Sequence, residues 1–160
     1  MTTPPFDPVT QLDIDTVSAQ LGRPARGVLG IAARTRTGEP TVVATAPRLD
    51  DGTPFPTLYY LSHPGAVAAI SFLEATGVMN ELNDLLADDE ELRAAYARAH
   101  EAYLADRGTI EDIPEIDGIS AGGMPTRVKC LHALAAHALA AGPGVNPIGD
   151  IALERADWAP

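Results

Sequence analysis

The sequence predicts an α+β fold: a small antiparallel three-stranded meander packed against four to five helices, with a buried C-terminal helix. Three observations carry this. Three short apolar or β-branched runs lie between residues 27 and 61, joined by polar, turn-forming connections. After Pro64 the apolar residues recur at helical spacing rather than alternating. The stretch from Cys130 to Gly149 carries no Asp, Glu, Lys or Arg. A chain of 160 residues fits one domain with one sizeable core. Residues 1–10, rich in Pro and Thr, read as a flexible tail, and 11–160 as the single domain.

The elements follow in order. Ile14, Val17 and Leu21 share a face of a short helix over 13–21, stopped by Gly22 and Pro24. The strands are 27–33, 41–46 and 57–61, with turns at Thr37-Gly38-Glu39-Pro40 and around Asp51-Gly52. Helices are expected over 66–75, 78–86 and 88–106, the last opening on four carboxylates, which a helix N-terminus favours. A surface loop over 108–118 leads to a fourth main helix over 125–141, in which Pro125 suits the first position. Asp150 is placed to cap a last short helix through Arg155.

The net charge of −11, from 22 acidic against 11 basic residues, excludes non-specific binding to nucleic acid or to an anionic membrane. One cysteine cannot close an internal disulfide. The N-terminus has no basic, apolar leader, and the apolar run ending at Ala141 is too short to span a bilayer. These features predict a cytoplasmic protein. Most of the negative charge falls on residues 81–117, which hold 12 acids and 3 arginines. That hairpin is a solvated face or, alternatively, a docking surface for a protein partner. Nothing in the sequence fixes an oligomeric state.

The 125–141 helix is nearly uncharged except at its start, where Arg127 and the only lysine, Lys129, follow Ser120-Ala-Gly-Gly-Met-Pro125. A helix N-terminus offers unpaired amides and partial positive charge, and glycines let a ligand approach. Ser120, Gly122, Gly123, Thr126, Arg127 and Lys129 are therefore candidates to hold a small phosphate- or carboxylate-bearing ligand. Arg26, Arg48, Tyr59 and His63 are candidates to complete the pocket from the sheet. The spacing matches neither a Walker A loop nor a dinucleotide fingerprint, and a loop that merely caps its own helix is the alternative. Cys130, His132 and His137 are candidates for nucleophilic or acid–base work in a small enzyme acting on a phosphate-containing substrate. Cys130 and His137 are seven apart, about 10 Å along a helix, and cannot chelate one ion without ligands from elsewhere. No metal and no cofactor is expected. A binding or regulatory domain is the favoured class, because local spacing sets no base–nucleophile pair.

Several segments resemble the actinobacterial domain-of-unknown-function 501 family: Thr45-Ala-Pro-Arg-Leu49, Asp51-Gly-Thr-Pro-Phe-Pro-Thr-Leu-Tyr-Tyr-Leu61, Ser120-Ala-Gly-Gly-Met-Pro125, Arg127-Val-Lys-Cys-Leu-His132, Ala136-His137 and Gly142-Pro-Gly-Val-Asn-Pro-Ile-Gly-Asp150. The resemblance runs over residues 20–155 and implies no activity, the family being uncharacterised. It implies a gene neighbourhood that often includes a septum formation initiator and an exopolyphosphatase, and polyphosphate as a ligand is suggested by that neighbour alone. The chain lacks the membrane helix and heptads of a divisome coiled coil. It also departs from the family at Arg34-Thr-Arg-Thr-Gly-Glu-Pro40, where members often carry a Cys-Pro pair. That departure weakens any reading in which a turn cysteine joins Cys130 on a metal.

Overall fold

A computed structural model describes residues 5–160. Among them are an antiparallel sheet of four strands, β1 (Asp7–Pro8), β2 (Val28–Arg34), β3 (Pro40–Thr45) and β4 (Tyr59–Leu61), in that spatial order. Six α-helices complete the fold: α1 (Gln11–Leu21), α2 (Pro64–Glu74), α3 (Val78–Asp88), α4 (Glu90–Gly108), α5 (Leu131–Ala141) and α6 (Pro147–Arg155). The α+β class holds, with one strand more than expected and six helices against a count of four to five, each overlapping a segment of helical spacing. The extra strand is β1, which pairs Asp7 with Ile31 and Pro8 with Gly30, inside the segment expected to be a tail. A two-residue strand has no alternation to read, so its pairing is legible only from the partner.

The sheet is covered on both faces. Strand β3 is buried at all six positions, and its alternation splits the core. Val43, with Ile31 of β2, packs on Val17 of α1. Val42 and Ala44 face the larger cluster built by α2 to α6. Helix α5 lies at the centre of that cluster, with Leu131, Leu134, Ala135 and Ala136 fully buried. Its lack of charge is explained by this position.

The start of α5 corrects the sequence reading by six residues. Positions 125–130 are an irregular loop and Leu131 is the first helical residue. The reason is tertiary. The Lys129 and Cys130 amides donate back to the Gly122 carbonyl, and the Arg127 amide to Gly123. Asn83 of α3 takes both backbone groups of Val128, at 2.8 and 3.0 Å. Tyr96 of α4 donates to the Arg127 carbonyl at 2.9 Å. Polar groups already satisfied this way gain nothing from propagating the helix backwards. The last helix, by contrast, begins earlier than expected, capped by Asn146, whose side chain accepts from the Gly149 amide, rather than by Asp150.

Arg34, on the last position of β2, forks onto Asp13 through both terminal nitrogens, at 2.9 and 3.0 Å. Asp13 also closes a capping box with Thr10 at the start of α1. The Arg34 hydrogen bond is the largest cause holding the Asp13 carboxyl down at about 2, against 3.8 ordinarily. A depressed carboxylate stabilises the fold above its unfolded pKa, and that contribution is lost as pH falls through 2. Allowing for solvent screening, Asp13→Asn is expected to cost about 1–2 kcal/mol at pH 7. The cost should all but vanish near pH 2. Urea midpoints at the two pH values measure the difference, and equal costs would refute the ion-pair account.

Candidate functional site

The candidate site lies where the start of α5 meets the end of α2 beside β4, the last strand of the sheet. A cavity of about 680 Å³ opens there, within the size range of small-molecule pockets. Tyr59, Tyr60 and Leu61 of β4 wall one side, Val67 and Ala68 of α2 another. Cys130 and His132 supply much of the polarity at the α5 end. Among the described residues, no lysine or arginine lines it.

Three side chains meet there: Cys130 and His132 in the cavity lining, and Glu74 against His132. Cys130 is the residue before the first turn of α5, and His132 is the second residue of the helix. Glu74 is the last residue of α2 and the one ionisable group of that helix. Its Oε1 lies 3.1 Å from His132 Nδ1, and its Oε2 accepts the Leu131 amide at 2.9 Å. The carboxylate thus also satisfies one of the orphan donors at the α5 N-terminus. On its far side, His132 Nε2 lies 3.0 Å from the Ser71 hydroxyl. Ligating atoms of Glu74, Cys130 and His132 all lie within 4.8 Å of one another, and each residue is half-buried.

The electrostatics follow from this packing. The His132 side chain is the main cause of a lowered Cys130 thiol pKa, working against burial, with the Ala133 and His132 amides adding to it. Cys130 in turn is the main cause of the raised His132 pKa, and Glu74 pushes the same way. The set can act as a thiolate beside a protonatable imidazole, or as three lone-pair donors facing one point.

The other candidates are placed as follows. Gly122 and Gly123 have positive φ, 67° and 95°, and are packed against the protein's own chain. A Cβ on Gly122 would meet the Leu134 side chain at 2.6 Å, and one on Gly123 would meet the Arg127 carbonyl at 2.5 Å. The glycines therefore fold the loop onto α5. Thr126, Arg127 and Lys129 are exposed on that loop, ahead of the helix rather than in its first turn. Ser120 is buried and bonded to His100 Nδ1 at 2.7 Å. His100, expected on a solvated face, is 8% exposed for that reason. Arg48 is held by the Gly52 carbonyl and by Glu115 at 2.6 Å. His63 caps α2 through Nδ1 and lies 3.2 Å from Glu39 through Nε2. Tyr59 lines the cavity while its hydroxyl donates to Asp106 at 2.6 Å; burial first, then that bond, raise its pKa. Arg26 is exposed at the rim of a smaller cavity of about 160 Å³ that shares Leu21 and Tyr60 with the larger one. His137 is fully buried and lines neither cavity.

The structure thus brings together Cys130, His132 and Tyr59, and separates them from Arg48 and Ser120. Glu74 is not legible as a site residue in the sequence. Its one signal there is that its helix carries no other ionisable group, and no spacing rule ties it to a residue 57 positions later.

The chain belongs to the family described as protein of unknown function DUF501, whose family model matches residues 31–154. The match runs from β2 to α6 and so includes Glu74, Cys130 and His132. No curated protein and no solved structure matches the chain. Among the described residues, no helix is long and apolar enough to cross a membrane.

Proposed function

We propose that this member of the DUF501 family is a small-molecule binding protein whose site is the cavity between β4, α2 and the start of α5. The observation that carries the reading is the pairing of Cys130 and His132, the latter held by Glu74, at one end of an otherwise largely apolar pocket of about 680 Å³. Concave, mainly apolar sites with a few convergent polar groups are where small ligands bind. The lining suits a compound with a flat apolar body against Tyr60 and Val67 and one polar or anionic end toward His132. This moves the expected ligand site away from Ser120–Lys129, whose glycines are filled by the chain itself. It keeps the anionic end in the expected chemistry.

Anilinonaphthalene sulfonate has that shape, and its fluorescence reports binding. The folded chain is expected to bind about one equivalent saturably. Ala68 is exposed on the α2 wall, so Ala68→Trp fills the cavity without touching the polar trio. That variant should weaken the probe at least about tenfold, a loss of about 1.4 kcal/mol. A wild-type chain with no saturable binding, or a variant that binds equally well, would overturn the reading.

A further inference from the structure

We propose that Glu74, Cys130 and His132 form a site for one divalent cation of the zinc class, with a further coordination position open to the cavity. The donor set is the first ground. A thiolate, an imidazole and a carboxylate select zinc, or cobalt in its place, over magnesium or calcium, which prefer all-oxygen shells. With a neutral imidazole, the two negative charges balance the cation.

Geometry is the second ground. Bond lengths of about 2.0–2.3 Å at tetrahedral angles place ligand atoms roughly 3.2–3.6 Å apart. The His132 Nδ1 to Glu74 Oε1 separation is 3.1 Å, and every ligand pair lies within 4.8 Å. A small closing movement of the cysteine side chain completes the face.

The third ground is the support behind each ligand. Glu74 spends Oε2 on the Leu131 amide, which leaves Oε1 for the cation. His132 spends Nε2 on Ser71, which leaves Nδ1. Cys130 is fixed by its backbone, since its amide donates to Gly122 and its carbonyl accepts from Leu134. Such outer contacts orient ligating groups and tune affinity. Three protein ligands and an open fourth position describe zinc sites that bind or transform small molecules rather than hold a fold together.

A bound cation would also supply the positive charge that the cavity lining lacks. The group entering from the cavity would then be a carboxylate or another anionic oxygen donor. That identification rests on the cavity reading; the cation site stands on the three side chains.

The test is titration of the full-length, chelator-treated chain with Co²⁺, followed by absorption. One equivalent should give the visible bands of tetrahedral cobalt and a near-ultraviolet thiolate-to-cobalt band, and Zn²⁺ should displace both. Cys130→Ser should abolish the thiolate band, with circular dichroism and melting confirming the fold. Glu74→Gln keeps an acceptor for the Leu131 amide and should weaken cobalt at least about tenfold. Ser71 is exposed, so Ser71→Ala tests the outer contact without risk to the core; it too should weaken cobalt about tenfold. No saturable cobalt binding would overturn the proposal. So would binding that survives Cys130→Ser with an unchanged spectrum. A chain that binds anilinonaphthalene sulfonate and no cobalt loses the cation site and keeps the cavity reading; the reverse result separates them the other way.

Discussion

Between pH 6.5 and pH 4 the protein is expected to lose about 3 kcal/mol of stability through one side chain, His137. Burial lowers its pKa from 6.5 to about 4. An unfolded chain takes up a proton at 6.5 that the folded chain refuses until about 4, so the unfolded state binds more protons across that window. Stability therefore rises with pH there; it is complete above 6.5 and lost on the way down to 4. The surroundings show why the ring stays neutral. Asn146 accepts the Gly149 amide through Oδ1, so its Nδ2 faces His137 Nδ1, at 3.0 Å, as a donor. Nδ1 is then an acceptor and the ring proton sits on Nε2. That atom is buried and has no partner among the described residues. Tyr59 stacks on the ring at 5.7 Å, and Tyr103 meets it edge-on at 5.1 Å. A second proton would set two donors against each other at Asn146. Urea midpoints over pH 4–7 measure the slope, which one proton can raise by up to about 1.4 kcal/mol per pH unit. His137→Gln keeps an acceptor for Asn146 and removes the titration, so its slope should be shallower by that amount. The ring's own NMR titration in the wild-type chain gives a second reading. A midpoint near 6.5, or an unaltered slope in the variant, would refute the assignment. The raised pKa of His132 acts with the opposite sign: its contribution is complete below 6.5 and lost as pH rises through the folded value.

His137 shows how far the sequence could be read. A histidine on an apolar helix face is legible as a residue of interest, and its sealed position is not, because Tyr59, Tyr103 and Asn146 come from three other places in the chain. The strands β2 to β4 and the helices α2 to α4 were legible from apolar spacing, since each pattern is local. The loop before α5 was not. Pro125, Thr126 and Arg127 have nothing against a helix in their own chemistry, and what stops it is Asn83 and Tyr96 taking the backbone. Most of the sequence-derived anion site rested on that helix start. The polar end of the cavity was half legible: Cys130 and His132 stand two apart and were singled out, while Glu74 arrives from the end of α2. Arg34 and His100 make the same point about charge and exposure. Nothing in the segment around either one points to its partner, which lies 20 or more positions away.

Replacing Gly149 by alanine is expected to cost about 3 kcal/mol, at the upper end of overpacking effects. Local propensity alone gives the opposite sign, since alanine is favoured over glycine within a helix by about 1 kcal/mol. Contact decides. Gly149 is the third residue of α6 and buried, and its α-carbon lies against α5. An added Cβ would run into the Leu134 carbonyl and would sit 2.8 Å from the Ala138 Cβ. The carbonyl is helix backbone in the middle of the core, so it cannot swing aside as a side-chain tip could. Relief requires α6 to move off α5, which opens the contacts of Ile148 and Ala152, both fully buried. Gly108, at the end of α4, is the control. Its added Cβ would meet only Asp112 Oδ1, at an ordinary 3.6 Å. Gly108→Ala should leave stability within about 1 kcal/mol of wild type, on the favourable side. Denaturant midpoints for the two variants carry the test, and a Gly149→Ala chain as stable as the control would refute the close crossing. The crossing also bears on the site. His132 lies at the start of helix α5 with Cys130 just before it, so a shift in the helix's seat on α6 moves them relative to Glu74. Metal affinity should therefore fall with stability in Gly149→Ala and stay unchanged in Gly108→Ala.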